Sequence, residues 1–334
     1  MKISTDKPGG ALPPKLFELL QKKYGQHKNF EYFANDYKKA FEFCLDNDNL
    51  TFTSLSASSS GSMVGHIALM IDRRRPTGEA FFGFLEVPND RQLFNSLWAG
   101  LLLEAQSRGI TSLKGPINGS IWHQYRCINY SDGSADFKSE LFTEAYYYDL
   151  LTSLSPGHQL DYYSAYSENY DYILKFGKSS YDQTVRAGYV IKQMKPGSKQ
   201  QLLDLSDISK KVFKNSWGYT ELNQSEFLAL YSGESLTPGN AKIYLIYKHD
   251  AVIGFCGLLR EDKTTLICKT LALLPDYHGK GIGNAIVYKL HADAKSDGVT
   301  KIIYALIRQG NNIQNFPKGS AVVCRRYAAF EYSL

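Results

Sequence analysis

The 334-residue sequence has few of the features that mark secreted, metal-binding or membrane-spanning proteins. Its five cysteines are odd in number, widely spaced and without a C-x-x-C pair, so neither a disulfide framework nor a zinc site is indicated. No run approaches the roughly 18 apolar residues of a membrane-spanning helix. The opening MKISTDKPGG contains no apolar signal segment. We therefore expect a cytoplasmic protein with no metal site and no membrane contact.

Excess charge is also scarce. The net charge is +5, with 21% charged and 43% apolar residues, a balance typical of a globular protein. So small a charge gives no reason to expect a nucleic acid as partner. The length is sufficient for two domains, each with its own core.

One glycine-rich stretch, LALLPDYHGKGIGNAIVYKL (271–290), joins an apolar run to a helical pattern. The run Thr270–Leu274 predicts a buried strand, which Pro275 ends because proline cannot donate to a sheet ladder. Apolar residues at helical spacing follow from Ile282, and Gly298 supplies the helix stop. The N–H groups of Gly279–Gly283 have little side chain in front of them and lie at the positive end of the helix dipole. This arrangement predicts an anion-binding turn.

The turn does not fit two common phosphate-binding patterns. The dinucleotide pattern G-x-G-x-x-G would need glycine at position 284, where Asn284 stands, and no Walker-type motif is present. The sequence on either side of the glycine turn predicts a series of strands and helices. We predict, in sequence, a strand at Tyr189–Met194, helices at Gln200–Phe213 and Gln224–Tyr231, strands at 242–248, 251–260 and 264–274, the glycine turn and its helix, and a central strand at Val299–Ile307.

This turn resembles the acetyl-CoA pyrophosphate loop of the GNAT (Gcn5-related N-acetyltransferase) superfamily, [Q/R]-x-x-G-x-[G/A], with His278 in the first position. The order of elements over about residues 190–334 is also similar to that of GNAT proteins. The resemblance implies acetyl-CoA, or another acyl-CoA, as co-substrate. It assigns the acyl carbonyl and pantetheine to a strand backbone, the pyrophosphate to the turn, and a further contact to an asparagine after the next strand. These residues are Leu271, Ala272 and Leu273; His278, Gly279, Lys280, Gly281, Ile282, Gly283 and Asn284; and Asn311 or Asn312.

The first half of the chain repeats this plan. The stretch FLEVPNDRQLFNSLWAGLLLEAQSRGITSLKGPI (84–117) also reads strand, proline, loop, helix, glycine, strand, but its loop Asn89–Gln92 has no glycine. The chain over about 65–334 resembles tandem GNAT-like bacterial proteins, through IDRRRPTGEAFFGFLEV, RGITSLKGPIN, VFKNSWGYTELNQSEF and RRYAAFEYSL. We expect an α/β fold with mixed sheets, in two GNAT-like acyl-CoA N-acyltransferase domains. Residues 1–186 would be a degenerate domain with an N-terminal helical extension, and 187–334 the acetyltransferase domain.

Acyl transfer to an amine requires a deprotonated amine, a polarised thioester carbonyl and a proton for the leaving thiolate. The tyrosine acid that GNAT enzymes often carry after the last central strand has no match here. Tyr327 and Tyr304 are the candidates for the acid, and Glu221 or Glu226 for the base. The alternative is that the tyrosines are core or edge aromatics and the glutamates are solvated carboxylates on helix faces.

The expected function is acyl-CoA-dependent N-acyl transfer to the amine of a small molecule, amino acid or peptide, by a monomer or weak homodimer. One alternative is the tandem-GNAT peptidyl- or aminoacyl-transferase class, which does not need a CoA loop. The other is a non-catalytic CoA-binding module. Since its loop lacks glycine, the first domain is expected to help form the acceptor site without binding a second CoA.

Overall fold

A computed structural model describes residues 2–6, 9–231, 239–310 and 320–334. The chain forms two compact units: the first is Met1–Tyr162 with Arg325–Leu334, and the second is Tyr163–Cys324. These units do not coincide with the predicted division at 186/187. The end of the chain belongs with the first unit, and the segment from 163 to 186 belongs with the second.

The first unit has a mixed sheet in the order β1-β2-β3-β4-β5, in which only β4 and β5 run parallel. A helix, α3, connects these two parallel strands, as a parallel crossover requires. The elements in chain order are β1 (Lys2–Asp6), α1 (Pro14–Tyr24), α2 (Phe30–Asp46), β2 (Leu50–Ser59), β3 (Ser62–Asp72), β4 (Glu79–Glu86), α3 (Arg91–Ser107), β5 (Ser112–Gly115), β6 (Cys127–Ser131) and α4 (Tyr146–Thr152).

The predicted N-terminal helices are integral to this unit and do not form an appended extension. β1 pairs with β2 along its whole length. Phe41 of α2 packs edge-on against Phe84 of β4, with ring centroids 5.2 Å apart, and Tyr37 packs against the same ring at 5.1 Å. Since Tyr37 and Phe41 are fully buried, α2 covers one face of the sheet.

The strand at the end of the chain, β13 (Val322–Ser333), explains why residues 325–334 belong to the first unit. It pairs antiparallel with β5, with Phe330 opposite Gly115, and with β6, with Arg325 opposite Ser131. Phe330 is fully buried in the core of that unit. The hydrophobic residues of β13 therefore complete a core whose other members lie in the first half of the sequence.

The second unit repeats the plan, with its strands in the order β12-β11-β10-β9-β8 and only β11 and β12 parallel. The predicted strands, glycine turn and helices of this half are confirmed. The elements are β7 (His158–Ser167), which enters this unit at Tyr163, α5 (Tyr170–Arg186), β8 (Tyr189–Gln193), α6 (Lys199–Phe213), α7 (Gln224–Leu230), β9 (Ala241–Lys248), β10 (Ala251–Arg260), β11 (Thr265–Leu273), a single 3₁₀ turn (Pro275–Tyr277), α8 (Ile282–Ser296) and β12 (Lys301–Arg308).

Helix α5 belongs to the second unit because it packs closely on α8. A Cβ at Gly177 would lie 2.9 Å from the Cβ of Tyr288, so only glycine permits this approach. The Tyr181 ring packs at a tilt against Tyr288 with ring centroids 5.0 Å apart, and Lys295 pairs with Asp171 at 2.6 Å. In the described part of the chain, no helix is long and apolar enough to cross a membrane.

Candidate functional site

The two parallel strands of the second unit separate part-way along their length. β11 and β12 are paired from Thr265 opposite Lys301 to Cys268 opposite Tyr304. β11 then continues to Leu273, paired only with β10. Among the described residues, the Leu271–Leu273 edge has no ladder partner on the β12 side. The sheet therefore opens at the end of β11.

The backbone direction along this edge follows from the antiparallel ladder. Leu274 N–H donates to the Ile253 carbonyl at 2.9 Å, which defines a hydrogen-bonded pair across β10 and β11. Such pairs alternate along an antiparallel ladder, so Ala272 is directed at β10. Leu271 and Leu273 are directed away from β10. Of the three strand residues predicted to bind the cofactor, these two present their backbone groups to the opening.

The glycine turn lies directly after this strand. Gly279 and Gly281 have φ values of 73° and 77°, in the left-handed region that favours glycine. Cβ atoms placed on Gly279, Gly281 or Gly283 would meet nothing within 4 Å. The glycines are therefore not needed for packing; they leave an uncovered backbone at the start of α8.

The start of α8 keeps its hydrogen-bond donors available. Gly281 is the N-cap residue and supplies no side-chain cap. Ala285 N–H, which donates to the Gly281 carbonyl at 3.1 Å, is the first to find a helical acceptor. The N–H groups of residues 279–284 donate to nothing in the described ranges of the chain. Unsatisfied donors at the positive end of a helix dipole form an anion site.

Two side chains of the turn add to this geometry. His278 Nε2 lies 3.0 Å from the Leu273 carbonyl oxygen, so the ring bonds back to the end of β11. The Lys280 ammonium lies 5.2 Å from the ring centroid of Tyr277, within cation–π range. Both His278 and Lys280 are exposed, and Lys280 contributes a positive charge at the turn.

The corresponding turn of the first unit caps its helix with a side chain. Asp90 is the N-cap of α3, and its carboxylate accepts from Leu93 N–H at 3.0 Å. The negative charge of Asp90 therefore occupies the position at which the second unit leaves the helix end open. An anion there would compete with this cap and be repelled by it.

The end of β4 is also filled by side chains. The Val87 carbonyl accepts from the Tyr146 hydroxyl at 2.7 Å and from Lys23 Nζ at 3.2 Å, and Val87 N–H donates to the Tyr147 hydroxyl at 3.0 Å. Lys23 Nζ also pairs with the buried carboxylate of Glu86 at 2.9 Å. Burial raises the pKa of Glu86, while the nearby Lys23 charge opposes that shift. These contacts engage both backbone groups of Val87, the residue directly before Pro88.

The first unit also lacks the gap between its parallel strands. After β5, Ile117 N–H donates to the Phe82 carbonyl at 2.8 Å. Phe84 N–H donates to Asn118 Oδ1 at 2.6 Å. β4 thus remains bridged to the segment that follows β5, whereas among the described residues the β11–β12 ladder ends at Cys268.

Packing encloses both tyrosines that were candidates for the catalytic acid. Tyr304 is 1% exposed, lies in the core formed with α8, and its hydroxyl is 3.3 Å from His291 Nδ1. Burial raises the pKa of Tyr304 well above its ordinary value. Tyr327 belongs to the first unit, where its hydroxyl donates to the buried carboxylate of Glu140 at 2.5 Å. These contacts fit the alternative that both tyrosines are core aromatics, because neither hydroxyl is accessible to an acyl acceptor.

The other candidates divide between surface, cap and undescribed residues. Glu221 is 65% exposed and 3.8 Å from Lys210, as expected of a solvated carboxylate. Glu226 forms a capping box with Asn223 at the start of α7, accepting from its N–H at 2.6 Å. Asn284 is exposed in the first turn of α8, and Asn312 lies outside the described residues. The sequence reasoning missed the cap by Asp90, although an aspartate directly before a helical pattern is an N-cap signal.

Known proteins share both the second-half sequence pattern and the fold. Residues 203–315 match the acetyltransferase (GNAT) family, and no curated protein sequence matches the chain. A tandem GNAT protein from the clavulanic acid biosynthesis pathway aligns over 99% of this chain and 98% of its own, at 10% identity and a TM-score of 0.57.

Two further structures agree. A GCN5-related N-acetyltransferase from Sphaerobacter thermophilus aligns over 99% of this chain and 95% of its own, at 12% identity and a TM-score of 0.54. A GCN5-related glucosamine N-acetyltransferase region of a fungal multi-domain GH3 β-N-acetylglucosaminidase aligns over 99% of this chain and 38% of that one, at 12% identity and a TM-score of 0.59. At such identities the likeness shows a shared fold.

Proposed function

We propose that the second unit of this chain is an acyl-CoA-dependent N-acyltransferase. The premise is that the chain is a tandem GNAT protein whose residues 203–315 form an acetyltransferase-family domain. The observation that carries this proposal is the pairing of an uncapped helix start with an open strand edge, at Gly281 and Leu271–Leu273. The turn would hold the pyrophosphate of acetyl-CoA or another acyl-CoA. The edge would hold the pantetheine amides, which need both a donor and an acceptor. The acceptor would be the amine of a small molecule, amino acid or peptide.

The first test is a substitution in the turn. Gly281→Val places a branched side chain before the exposed N–H groups and at a φ of 77°, so we expect CoA binding to weaken at least tenfold. Gly298→Val is the matched control. Gly298 has a φ of 73°, lies just past the other end of α8 and also has free space around it, so it imposes similar strain away from the site. Isothermal titration with CoA should separate the two variants; equal affinities would exclude the turn as the phosphate site.

A non-catalytic CoA-binding module is the second candidate function. It is favoured by one observation: the hydroxyl groups of Tyr304 and Tyr327 are buried and engaged elsewhere. Release of free CoA from acetyl-CoA, measured by thiol titration in the presence of small amines, amino acids and peptides, distinguishes the two. A protein that binds CoA but releases none above the uncatalysed rate with any acceptor class would be assigned to the binding module.

A further inference from the structure

His278 joins the anion-binding turn to the strand that precedes it. Its backbone N–H donates to the Pro275 carbonyl at 3.0 Å, which closes the 3₁₀ turn. Its ring Nε2 is 3.0 Å from the Leu273 carbonyl oxygen, five residues earlier in the chain. The residue is therefore held by its backbone and by its side chain, and both contacts point back to the end of β11.

In the part of the chain that the structure describes, the turn has no second side-chain bond to β11. Gly279 and Gly281 have no side chains, and the Lys280 ammonium lies over Tyr277 of the preceding 3₁₀ turn, which is not part of β11. Within the described ranges, the ring of His278 is the only side chain from 278–281 that bonds to β11. Because two left-handed glycines leave the turn with wide conformational freedom, its position relative to the strand depends on this bond.

The Leu273 carbonyl is well placed for this role. By the ladder alternation described above, it points away from β10 and toward the opening. His278 takes this acceptor, so a ligand on the same edge would be left with the N–H of Leu273 and both backbone groups of Leu271. The bond requires a proton on Nε2, which one neutral tautomer and the imidazolium both carry. It can therefore persist whether or not the ring is charged.

We infer that His278 is a positioning residue, which holds the turn against the end of β11 and thereby orders the N–H groups that bind phosphate. The inference rests on the proposed function, because it concerns the same site. Its effect falls on the phosphate-bearing part of the ligand. CoA, and ADP as a probe that has a pyrophosphate but no pantetheine, should both depend on it to the same degree.

The test compares His278→Ala with His278→Gln in the full-length protein. Alanine removes the donor, so we expect the dissociation constants of CoA and ADP to rise together by roughly threefold to tenfold, the usual effect of one lost hydrogen bond. Glutamine carries an amide N–H that can reach the same carbonyl, so it should restore affinity to within about twofold of the parent. His158→Ala, at an exposed histidine in β7, is the matched control and should leave both constants unchanged.

The outcomes separate the inference from the function beneath it. If His278→Ala binds CoA as tightly as the parent while Gly281→Val does not, the positioning role is wrong and the turn assignment stands. The role is also wrong if only CoA weakens, since the loss would then come from the pantetheine edge, or if glutamine fails to restore affinity. A parent protein that binds neither CoA nor ADP would overturn both the positioning role of His278 and the proposed function. Melting temperatures of the variants within about 2 °C of the parent would confirm that affinity, and not folding, is being measured.

Discussion

At the residue scale, the two halves of the molecule differ at the N-cap residue of one helix. Asp90 and Gly281 both cap a helix that follows a strand and a proline. The carboxylate of Asp90 satisfies a donor and adds negative charge, whereas Gly281 leaves the donors exposed. The same backbone plan is thus closed to anions in one unit and open in the other.

Glu140 provides a residue-scale prediction about pH. Its carboxylate is buried and accepts from the Tyr327 hydroxyl at 2.5 Å, and Arg325 Nε lies 3.4 Å away. Burial raises the pKa of Glu140 to about 7, opposed by Arg325 and Tyr327 and assisted by the charge of Asp136. Since this pKa lies above the unfolded value, the folded state holds the proton more tightly, and the resulting stability is lost as pH rises through about 7.

The measurement is thermal unfolding of the parent and of Glu140→Gln between pH 5.5 and 8. We expect the parent's first unit to melt at a lower temperature as pH rises through about 7, and the Gln variant to lose much of this slope because its amide does not titrate. A matched control is Glu144→Gln, at a partly exposed carboxylate in the same segment. An unchanged slope in Glu140→Gln would show that other groups cause the pH dependence.

At the element scale, β7 and β13 determine where the chain divides into its two units. β13 pairs with β5 and β6 of the first unit, and β7 passes into the second unit at Tyr163. Helix α5, which follows β7, packs on α8 through Gly177 and Tyr181. Each unit therefore includes a segment that sequence order would assign to its neighbour.

Removal of Arg325–Leu334 tests the role of the last strand. Its loss would expose the edge of β5 and take both Arg325 and Tyr327 from the buried Glu140, so we expect marked destabilisation of the first unit. Hydrogen exchange should accelerate in β5 and β6. Removal of Leu334 alone, which is partly exposed, is the matched control. Unchanged exchange in β5 and β6 after the longer deletion would contradict the assignment of β13 to this unit.

At the scale of the whole molecule, two units share one plan but only the second keeps it open. The first unit fills the end of β4 with Lys23, Tyr146 and Tyr147 and bridges its parallel strands through Ile117. Several independent contacts therefore close the first unit at this end of β4, in addition to the missing glycines of its turn. Whether the first unit helps to form the acceptor site stays a prediction.

The stoichiometry of binding follows from this difference. We expect one CoA per chain by isothermal titration, and Asp90→Gly should not add a second, because the end of β4 stays occupied. Gly281→Val in the same chain should weaken this single binding event at least tenfold. Two equivalents in the parent would show that the first unit opens to the ligand. A fragment of residues 187–334 would lack β7 and α5, and its residues 325–334 belong to the first unit, so the full-length protein is the sample to titrate.

Local sequence determined the elements and the candidate phosphate site, because their causes lie within a few residues. Apolar runs specify β9, β10 and β11, Pro275 ends the last of them, and the glycines at 279 and 281 specify the turn, all without distant partners. Side-chain closure of the first unit could not be predicted in this way. Lys23 and Tyr147 are 124 residues apart, and they meet at Val87 only after α1, α4 and β4 have packed.

The tertiary structure likewise decided which sheet the last strand joins. A strand of the composition of β13 can complete either core, and the sequence contains no local signal that selects one. In the folded protein, β13 pairs with β5 and β6, and Phe330 is buried in the core of the first unit. The same limit applies to Tyr304 and Tyr327: their residue type suits an acid, but only packing reveals that both hydroxyls are enclosed. Burial and pairing depend on residues far apart in the chain, and they come together only when the whole molecule folds.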